Sequence, residues 1–257
     1  MFNLEKFDLK LDTERIGRNF VYAEEVTSTN VVVLKQRNIY KQHGSLLLAE
    51  NQTNGKGRKN RPWYSAKDMN LTFSVLVSDP KYLRKKVNLL NFVASLAVVL
   101  SIENFFQLRT ELKWPNDVII RGKKVAGVLL ESITHGSRIE RLVIGIGLNV
   151  NQTVFQGKFT LDPTSLKKEL GLNVEREKIL AEILNNLEEL METSLSDSNE
   201  VMNEWRERCR MIGGRITVSD DENVKSGIFE DIDDMGFLVL RSNDKVETIH
   251  FGDVSII

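Results

Sequence analysis

The sequence predicts an α+β fold in which a largely antiparallel sheet is flanked by helices and followed by a small β-barrel. Two observations carry this prediction. Strand-like segments at residues 112–121, 123–133 and 140–150 follow one another with no helix between them. After Gly213 and Gly214 the hydrophobic period changes from that of a helix to the two-residue period of strands.

The composition is that of an ordinary globular protein. Hydrophobic residues make up 41% and charged residues 28% of the 257 positions, which excludes disordered and low-complexity classes. The net charge of −1 provides no global field for nucleic acid or anionic membranes, so neither is an expected partner. A single cysteine, Cys209, and three histidines argue against a disulfide and a structural metal site. Residues 1–10 lack the apolar segment of a secretory signal, which favours a cytoplasmic location.

The larger domain is expected over residues 1–211. A short helix is predicted at 31–36, after the N-cap candidates of residues 27–30. Residues 89–104 carry apolar side chains at helical spacing over a length too short for a membrane span, which predicts a buried helix. Earlier strands are predicted at residues 19–26, 45–50 and 71–77.

The remaining segments predict two helices and a small second domain. Asn173 is the expected cap of an amphipathic helix, and the next helix is expected to end at Gly213 and Gly214. The second domain, at residues 212–257, is expected to lean on the first, because about 45 residues barely build a core. Its predicted strands are residues 215–219, 226–231, 236–241 and 246–250.

A basic loop between Gln52 and Trp63 is the most unusual segment of the chain. Four cations lie among the six residues from Lys56 to Arg61, and their mutual repulsion is costly without an anion. Gly55 and Gly57 permit close approach of backbone N–H groups, so the loop can surround a phosphate. The alternative is a solvated surface loop.

A second cluster, Lys113-Trp114-Pro115-Asn116-Asp117, interrupts an apolar strand. Pro115 restricts Trp114 to an extended shape, so Lys113 is expected to point in a fixed direction. A preorganised cation stabilises charge that develops on a phosphoryl or acyl oxygen. The alternative is a solvent-exposed lysine at a strand edge.

A third cluster, residues 145–151, ends a strand with two glycines and two asparagines. It does not fit the dinucleotide-binding pattern, because the third glycine is missing. Asn149 can read a base edge or simply form a turn. A Walker loop and the HExxH, GxSxG and CxxC patterns are also missing from the sequence, and we expect no nucleophilic role for Cys209.

These motifs together resemble the ordered motifs of biotin protein ligases over about 120 residues. The matching segments are residues 28–30, 52–63, 65–71, 113–117, 124–131 and 145–149. The resemblance implies the fold of class II aminoacyl-tRNA synthetases, with an SH3-like domain after it. It also implies a two-step reaction, in which biotin and MgATP give biotinyl-5′-AMP and pyrophosphate, and a lysine of a biotin carboxyl carrier domain then takes the biotinyl group.

The resemblance also implies the roles of individual residues. Lys113 and Arg58 are the expected catalytic residues. The expected biotin-binding residues are Ser28, Thr29, Asn30, Gln52, Gly55, Lys56, Gly57, Arg58, Lys113 and Gly127. The expected ATP-binding residues are Lys56, Arg58, Arg61, Trp63, Lys113, Asn116 and Asn149, with Asn149 contacting adenine. The ligands of Mg²⁺ are not predicted.

Two residues depart from the family pattern. Lys56 stands where the family usually has Arg, which removes a planar bidentate fork, and Asp68 stands where it usually has Gly. We expect the loop from Gly55 to Arg61 to be mobile without ligand and to order over the mixed anhydride, excluding water.

Other functions fit parts of the sequence. A lipoate or octanoate ligase would need a long apolar tunnel, a biotin sensor would bind biotin without catalysis, and a nucleic-acid-binding module would use the basic loop. Only about 20 residues precede the first predicted strand, so we expect no winged-helix domain and no direct regulation of promoters. The expected oligomeric state is a monomer or a homodimer.

Overall fold

The computed structural model describes residues 2–84, 86–220, 224–243, 245–250 and 252–256. Within them, a seven-stranded mixed sheet with flanking helices precedes a five-stranded antiparallel sheet. The predicted α+β class, with a small C-terminal β domain, is confirmed. The domain boundary at residues 211 and 212 stays a prediction.

The elements are numbered in chain order. The helices are α1 Leu4–Asp8, α2 Thr29–Lys35, α3 Pro80–Leu83, α4 Leu89–Phe106, α5 Leu166–Leu170, α6 Arg176–Ser196 and α7 Ser198–Arg208. The strands of the large sheet are β1 Phe20–Val26, β2 Leu46–Gln52, β3 Leu71–Val77, β4 Glu111–Lys113, β5 Asp117–Ile120, β6 Lys123–His135 and β7 Arg138–Leu148. The strands of the small sheet are β8 Arg215–Ser219, β9 Val224–Ile232, β10 Leu238–Ser242, β11 Lys245–Ile249 and β12 Asp253–Ile256.

The large sheet has the order β1-β2-β3-β7-β6-β5-β4. Its first pair, β1 and β2, is parallel, and its other neighbours are antiparallel. A parallel pair needs a crossover, which α2 supplies between the two strands. As a result, the start of α2 and the end of β2 lie at the same end of the sheet.

Helix α4 is the central helix of the core. It is long and apolar enough to cross a membrane, with a mean hydropathy of 1.8, but 67% of that stretch is buried inside the protein. A helix that is apolar on all sides is typical of a buried position. The prediction of a buried helix is confirmed, and the helix extends to Phe106.

The single strand predicted at residues 112–121 is wrong. The structure divides it into the antiparallel strands β4 and β5, joined by Trp114, Pro115 and Asn116, with a cis peptide bond before Pro115. Proline has no N–H for a strand ladder, which explains why pairing stops there. The resulting hairpin sets Lys113 opposite Asp117.

Three helix boundaries also differ from those predicted. Helix α2 begins at Thr29, two residues before the predicted start, and α6 has Glu175 at its N-cap in place of Asn173. Helix α7 ends at Arg208, and Gly213 instead takes a φ of 81° in the turn before β8. Asp197 separates α6 from α7, because its carboxylate accepts hydrogen bonds from the backbone N–H groups of Asn199 and Glu200.

The small domain packs against the large one. The Trp114 indole donates to the carbonyl of Gly236 at 3.2 Å, and the Arg206 guanidinium pairs with Asp231 at 2.7 Å. Strand β12, which the sequence did not predict, pairs with β8 and brings Asp253 towards the large sheet. The sequence predicted that the second domain leans on the first, and the structure shows these contacts between them.

Candidate active site

One cavity of about 230 Å³ gathers most of the predicted site residues. Its walls come from the start of α2, the end of β2, the start of β3, the neighbouring strands β6 and β7, and the β4–β5 hairpin. The basic loop, residues 155–163 and the start of β12 complete it. Of the predicted residues, those that line the cavity are Ser28, Thr29, Asn30, Gln52, Lys56, Gly57, Arg58, Arg61, Trp63, Lys113, Asn116, Gly127 and Asn149.

A hydrogen-bond network fixes the amide of Gln52. The backbone N–H of Thr29 donates to Gln52 Oε1 at 2.7 Å, and the Thr29 hydroxyl lies 3.1 Å from the same oxygen. Ser74 on β3 contacts the Thr29 hydroxyl at 2.7 Å. With its oxygen engaged, Gln52 can use its Nε2 amino group as a hydrogen-bond donor to a ligand carbonyl.

Asn30 is held from three sides. Its Nδ2 donates to Glu131 at 2.8 Å and to the Leu129 carbonyl at 3.3 Å, and its Oδ1 lies 2.6 Å from the Ser74 hydroxyl. A Cβ on Gly145 would lie 2.2 Å from Asn30 Oδ1, so only glycine leaves room for this side chain. Asn30 therefore ties α2 to β3, β6 and β7.

Trp63 fills the space above two glycines of the sheet. A Cβ on Gly147 would lie 2.3 Å from the indole, and one on Gly127 would lie 3.6 Å from it. The indole Nε1 is buried and has no hydrogen-bond partner among the described residues. A buried donor without a partner is costly, which makes this nitrogen available to a bound ligand.

Two lysines and an aspartate form the cationic side of the cavity. Lys124 Nζ pairs with Asp117 at 2.6 Å and lies 5.6 Å from the centre of the Trp63 ring. Lys113 is half-buried, and burial lowers its pKa below the ordinary value of 10.5, although the nearby Asp117 carboxylate opposes this shift. The cavity therefore presents two ammonium groups around one carboxylate.

The basic loop meets the small domain at Asp253. Arg61 Nη2 lies 2.8 Å from Asp253 Oδ1, Arg58 Nη1 lies 3.6 Å from the same oxygen, and Lys59 Nζ lies 3.9 Å from Oδ2. Arg58 also donates to the carbonyl of Gly252 at 3.1 Å. Burial lowers the pKa of the Arg58 guanidinium, and the charge of Asp253 opposes this effect.

Some predicted residues are engaged in holding the walls. The side-chain amide of Asn116 donates to the carbonyl of Val128, and that of Asn149 donates to the carbonyl of Thr164 at 3.0 Å. Gly55 does not line the cavity. A Cβ on Gly55 would lie 2.5 Å from the Trp63 carbonyl oxygen, so the residue packs closely against the backbone of the loop. The ligand contacts assigned to these residues stay predictions.

Asp68 and Lys56, the two residues that depart from the family pattern, differ in backbone conformation and exposure. Asp68 has a φ of 63°, in the left-handed region that favours glycine and that aspartate tolerates better than most residues. A glycine, which the resemblance implies at this position, would adopt this conformation without strain. Lys56 is exposed at the cavity rim, and its backbone forms a bridge with Pro62 across the loop.

The sequence interpretation missed four residues that shape the site. Lys124 and Asp117 lie within segments that resemble the family motifs. As charged residues among apolar neighbours, they could have been identified as site residues from the sequence. Ser74 occupies a position in a buried strand and Asp253 is 192 residues from Arg61, so only the fold brings them into contact with the site.

Comparisons with known proteins agree with this geometry. Residues 22–149 match the Biotin/lipoate A/B protein ligase family, and residues 211–256 match the Biotin protein ligase C terminal domain. A Bifunctional ligase/repressor BirA of Bacillus subtilis is 30% identical, over 98% of this chain and 77% of its own length. A Biotin--[acetyl-CoA-carboxylase] ligase of Mycobacterium tuberculosis is 33% identical, over 82% and 78% respectively.

A comparison with a solved structure shows that the similarity extends to the fold. The biotin protein ligase from Aquifex aeolicus in complex with biotin and ATP is 26% identical and has a TM-score of 0.80. The match covers 93% of this chain and 99% of the Aquifex chain. With a relative at 30% identity over almost the whole sequence and a shared fold, this chain belongs to the biotin protein ligase family.

Proposed function

We propose that this chain is an ATP-dependent biotin protein ligase, a ligase that forms an amide bond. The observation that supports this most is one cavity that combines a polar pocket for a neutral ring with a cationic rim for phosphates. The polar pocket contains Thr29 and Gln52, and the rim contains Arg58, Lys113 and Lys124. Named relatives and a complex with biotin and ATP support the same reaction.

In our proposal, the polar pocket holds the ureido ring of biotin. The Nε2 group of Gln52 donates to the ring carbonyl, while the hydroxyls of Ser28 and Thr29 pair with its N–H groups. Asn30 and the two glycines Gly145 and Gly127 shape the wall. Lys56 and Gly57 close the loop over the bound ring.

The first step brings the biotin carboxylate against the α-phosphate of ATP. Both groups are anionic, so cations must hold them in line. Arg58, Lys113 and Lys124 surround the place where these charges meet, and Arg61 and Trp63 support the nucleotide. The carboxylate oxygen bonds to phosphorus, pyrophosphate leaves and biotinyl-5′-AMP forms. Asn116 and Asn149 are proposed on the nucleotide side.

Magnesium is proposed to enter with the nucleotide. Among the described residues, no group of three His, Cys, Asp or Glu side chains could hold a metal ion. Mg²⁺ commonly binds through one or two carboxylates and substrate phosphates. The residues fit that mode, because Asp117 is a carboxylate on the cavity wall beside the proposed phosphate position. Magnesium would neutralise part of the phosphate charge.

The second step is the transfer of the biotinyl group to a carrier. A neutral lysine amine of a biotin carboxyl carrier domain attacks the acyl carbon, AMP leaves with the electron pair of the broken C–O bond, and the amine loses a proton. We propose a carrier domain as the protein partner and the cytoplasm as the compartment. A monomer and a homodimer are both consistent with the chemistry.

Pyrophosphate release tests the first step. We expect release that depends on both ATP and biotin, with octanoate and lipoate as the comparison substrates. Release with octanoate or lipoate and not with biotin would overturn the proposal in favour of the acyl ligase. Tight binding of biotin without release would instead indicate a sensor.

A further inference from the structure

We propose that Asp253, at the start of strand β12, is a positioning residue for ATP. Its carboxylate is the counter-ion that holds the cations of the basic loop over the cavity. This inference rests on the proposed function, since it assigns the ATP phosphates to that loop. It makes the small domain part of the nucleotide site.

The contacts define Asp253 as the meeting point of the loop. Arg58, Lys59 and Arg61 all place a side-chain nitrogen within 4 Å of its carboxylate, and the shortest contact is 2.8 Å to Arg61. The Asp253 side chain is 26% exposed, so these interactions are only partly screened by water. Asp253 also lines the cavity directly.

The loop needs such a counter-ion. Arg58, Lys59 and Arg61 are close in sequence, and their like charges favour an open, spread loop. The closed form has Lys59 and Asn60 at φ values of 53° and 54°, a region that costs free energy for residues with side chains. Backbone hydrogen bonds close the loop, from Gly57 N–H to the Arg61 carbonyl at 2.7 Å and from Trp63 N–H to the Gly55 carbonyl at 3.0 Å, but they do not offset the repulsion between its side chains.

Charge arithmetic gives the direction of the effect. The guanidinium groups of Arg58 and Arg61 with the one carboxylate leave one net positive charge, so the cluster still attracts phosphate. The carboxylate removes most of the mutual repulsion while keeping the guanidinium groups together. ATP then meets an assembled site and does not have to gather the cations itself, and such preorganisation improves affinity.

A second aspartate of the same domain provides a matched control. Asp231 on β9 pairs with Arg206 of α7 at 2.7 Å, and its side chain is 48% exposed. It therefore joins the small domain to the large one through an arginine, as Asp253 does. It does not line the cavity.

Steady-state kinetics test the proposal. We expect Asp253→Asn to raise the KM for ATP about tenfold through lost preorganisation. Binding of biotin in the absence of ATP should weaken less than the KM for ATP rises, because the Thr29 and Gln52 contacts of the ring pocket do not involve Asp253. Asp253→Glu should recover part of the loss, and Asp231→Asn should leave both quantities unchanged. In a cycle with Arg61→Gln, the double variant should be little worse than Arg61→Gln alone, because the carboxylate acts through that arginine.

Limited trypsin digestion provides a readout that does not depend on activity. The loop offers cleavage sites after Lys56, Arg58 and Lys59. We expect Asp253→Asn to speed cleavage there severalfold in the absence of ligand, because opening of the loop exposes these bonds. Asp231→Asn should be cleaved at the wild-type rate.

The outcomes separate this inference from the proposed function. If the wild type releases no pyrophosphate with biotin and ATP, the proposed function fails, whatever the digestion shows. If the wild type is active and Asp253→Asn has an unchanged or lower KM for ATP, the positioning role is overturned. A lower KM would mean that the carboxylate competes with the phosphates.

Discussion

The indole of Trp63 occupies the space that a side chain at Gly147 would need. A Cβ at residue 147 would lie 2.3 Å from the ring, far inside van der Waals contact. The basic loop therefore contacts strand β7 by packing the Trp63 indole directly against the backbone of Gly147. This contact fixes where the loop leaves the sheet and forms one wall of the cavity.

Gly147→Ala should displace Trp63. Because the added methyl group overlaps the ring, we expect a loss of about 1–3 kcal/mol in the free energy of unfolding, together with weaker biotin binding. Urea denaturation and calorimetry measure the two effects. Adding Trp63→Ala to Gly147→Ala should recover stability, since the overlap is then gone. Wild-type stability and affinity in Gly147→Ala would contradict the contact.

Lys113 and Lys124 should both be needed for pyrophosphate release. Each places an ammonium group at the cavity, and loss of one preorganised charge donor costs about 100-fold or more in kcat. Lys113→Ala and Lys124→Ala are compared with Lys123→Ala, which changes an exposed neighbour on β6 and should keep wild-type activity. An active Lys113→Ala enzyme beside an inactive Lys124→Ala enzyme would mean that Lys113 is not the main catalytic residue.

The rate of the first step should decline at alkaline pH. Burial lowers the pKa of Lys113 below 10.5, so this group loses its proton, and its charge, at a lower pH than an exposed lysine. Activity should be full below that pKa and fall as the pH rises through it. A pH profile of kcat/KM for pyrophosphate release measures this limb, and Lys113→Arg should move it to higher pH. If Lys113→Arg leaves this alkaline decline at the same pH, the decline is caused by another group.

The buried pair of Glu50 and Arg176 should be essential for stability. Their side chains are 1% and 6% exposed, and two guanidinium nitrogens contact the carboxylate at 2.5 and 3.0 Å. Arg176→Ala leaves Glu50 buried without its partner, which should cost about 3–5 kcal/mol in urea denaturation. Arg37→Ala, which breaks an exposed pair with Glu140, should have a much smaller effect on the same measurement. Equal losses in the two variants would contradict the assigned burial.

Cys209 should be inert in the folded protein. It is 3% exposed, and burial raises the pKa of its thiol to about 12. Because the thiolate is the reactive form, a thiol reagent at neutral pH should label it only after denaturation. Rapid labelling under native conditions would show that the α7–β8 connection opens.

The sequence was most informative where a local pattern decides the structure. Alternating apolar residues predicted β3, and a long apolar segment with helical spacing predicted α4, although the structure buries both faces of β3 and most of α4. The division of the 112–121 strand was not predicted, since a proline in an apolar run permits either an edge strand or a break. The choice is made by the pairing of β5 with β6.

The site was predictable only where its residues are close in sequence. The basic loop and the Lys113 cluster are visible as charge patterns, and both line the cavity. The role of Asp253 depends on the docking of a second domain, which a single sequence does not encode locally. Likewise, the sequence shows Ser74 only as a polar residue in a buried strand. Its role depends on the contact with Thr29 of α2, which the fold creates.

The most direct test of the central claim is the intact mass of a biotin carboxyl carrier domain after incubation with this protein, biotin and ATP. The account predicts one added biotinyl group, attached to a lysine, that requires ATP and is lost with Lys124→Ala and Lys113→Ala. An unmodified carrier in the presence of free biotinyl-5′-AMP would contradict protein ligation, and a carrier modified without ATP would contradict the adenylate route.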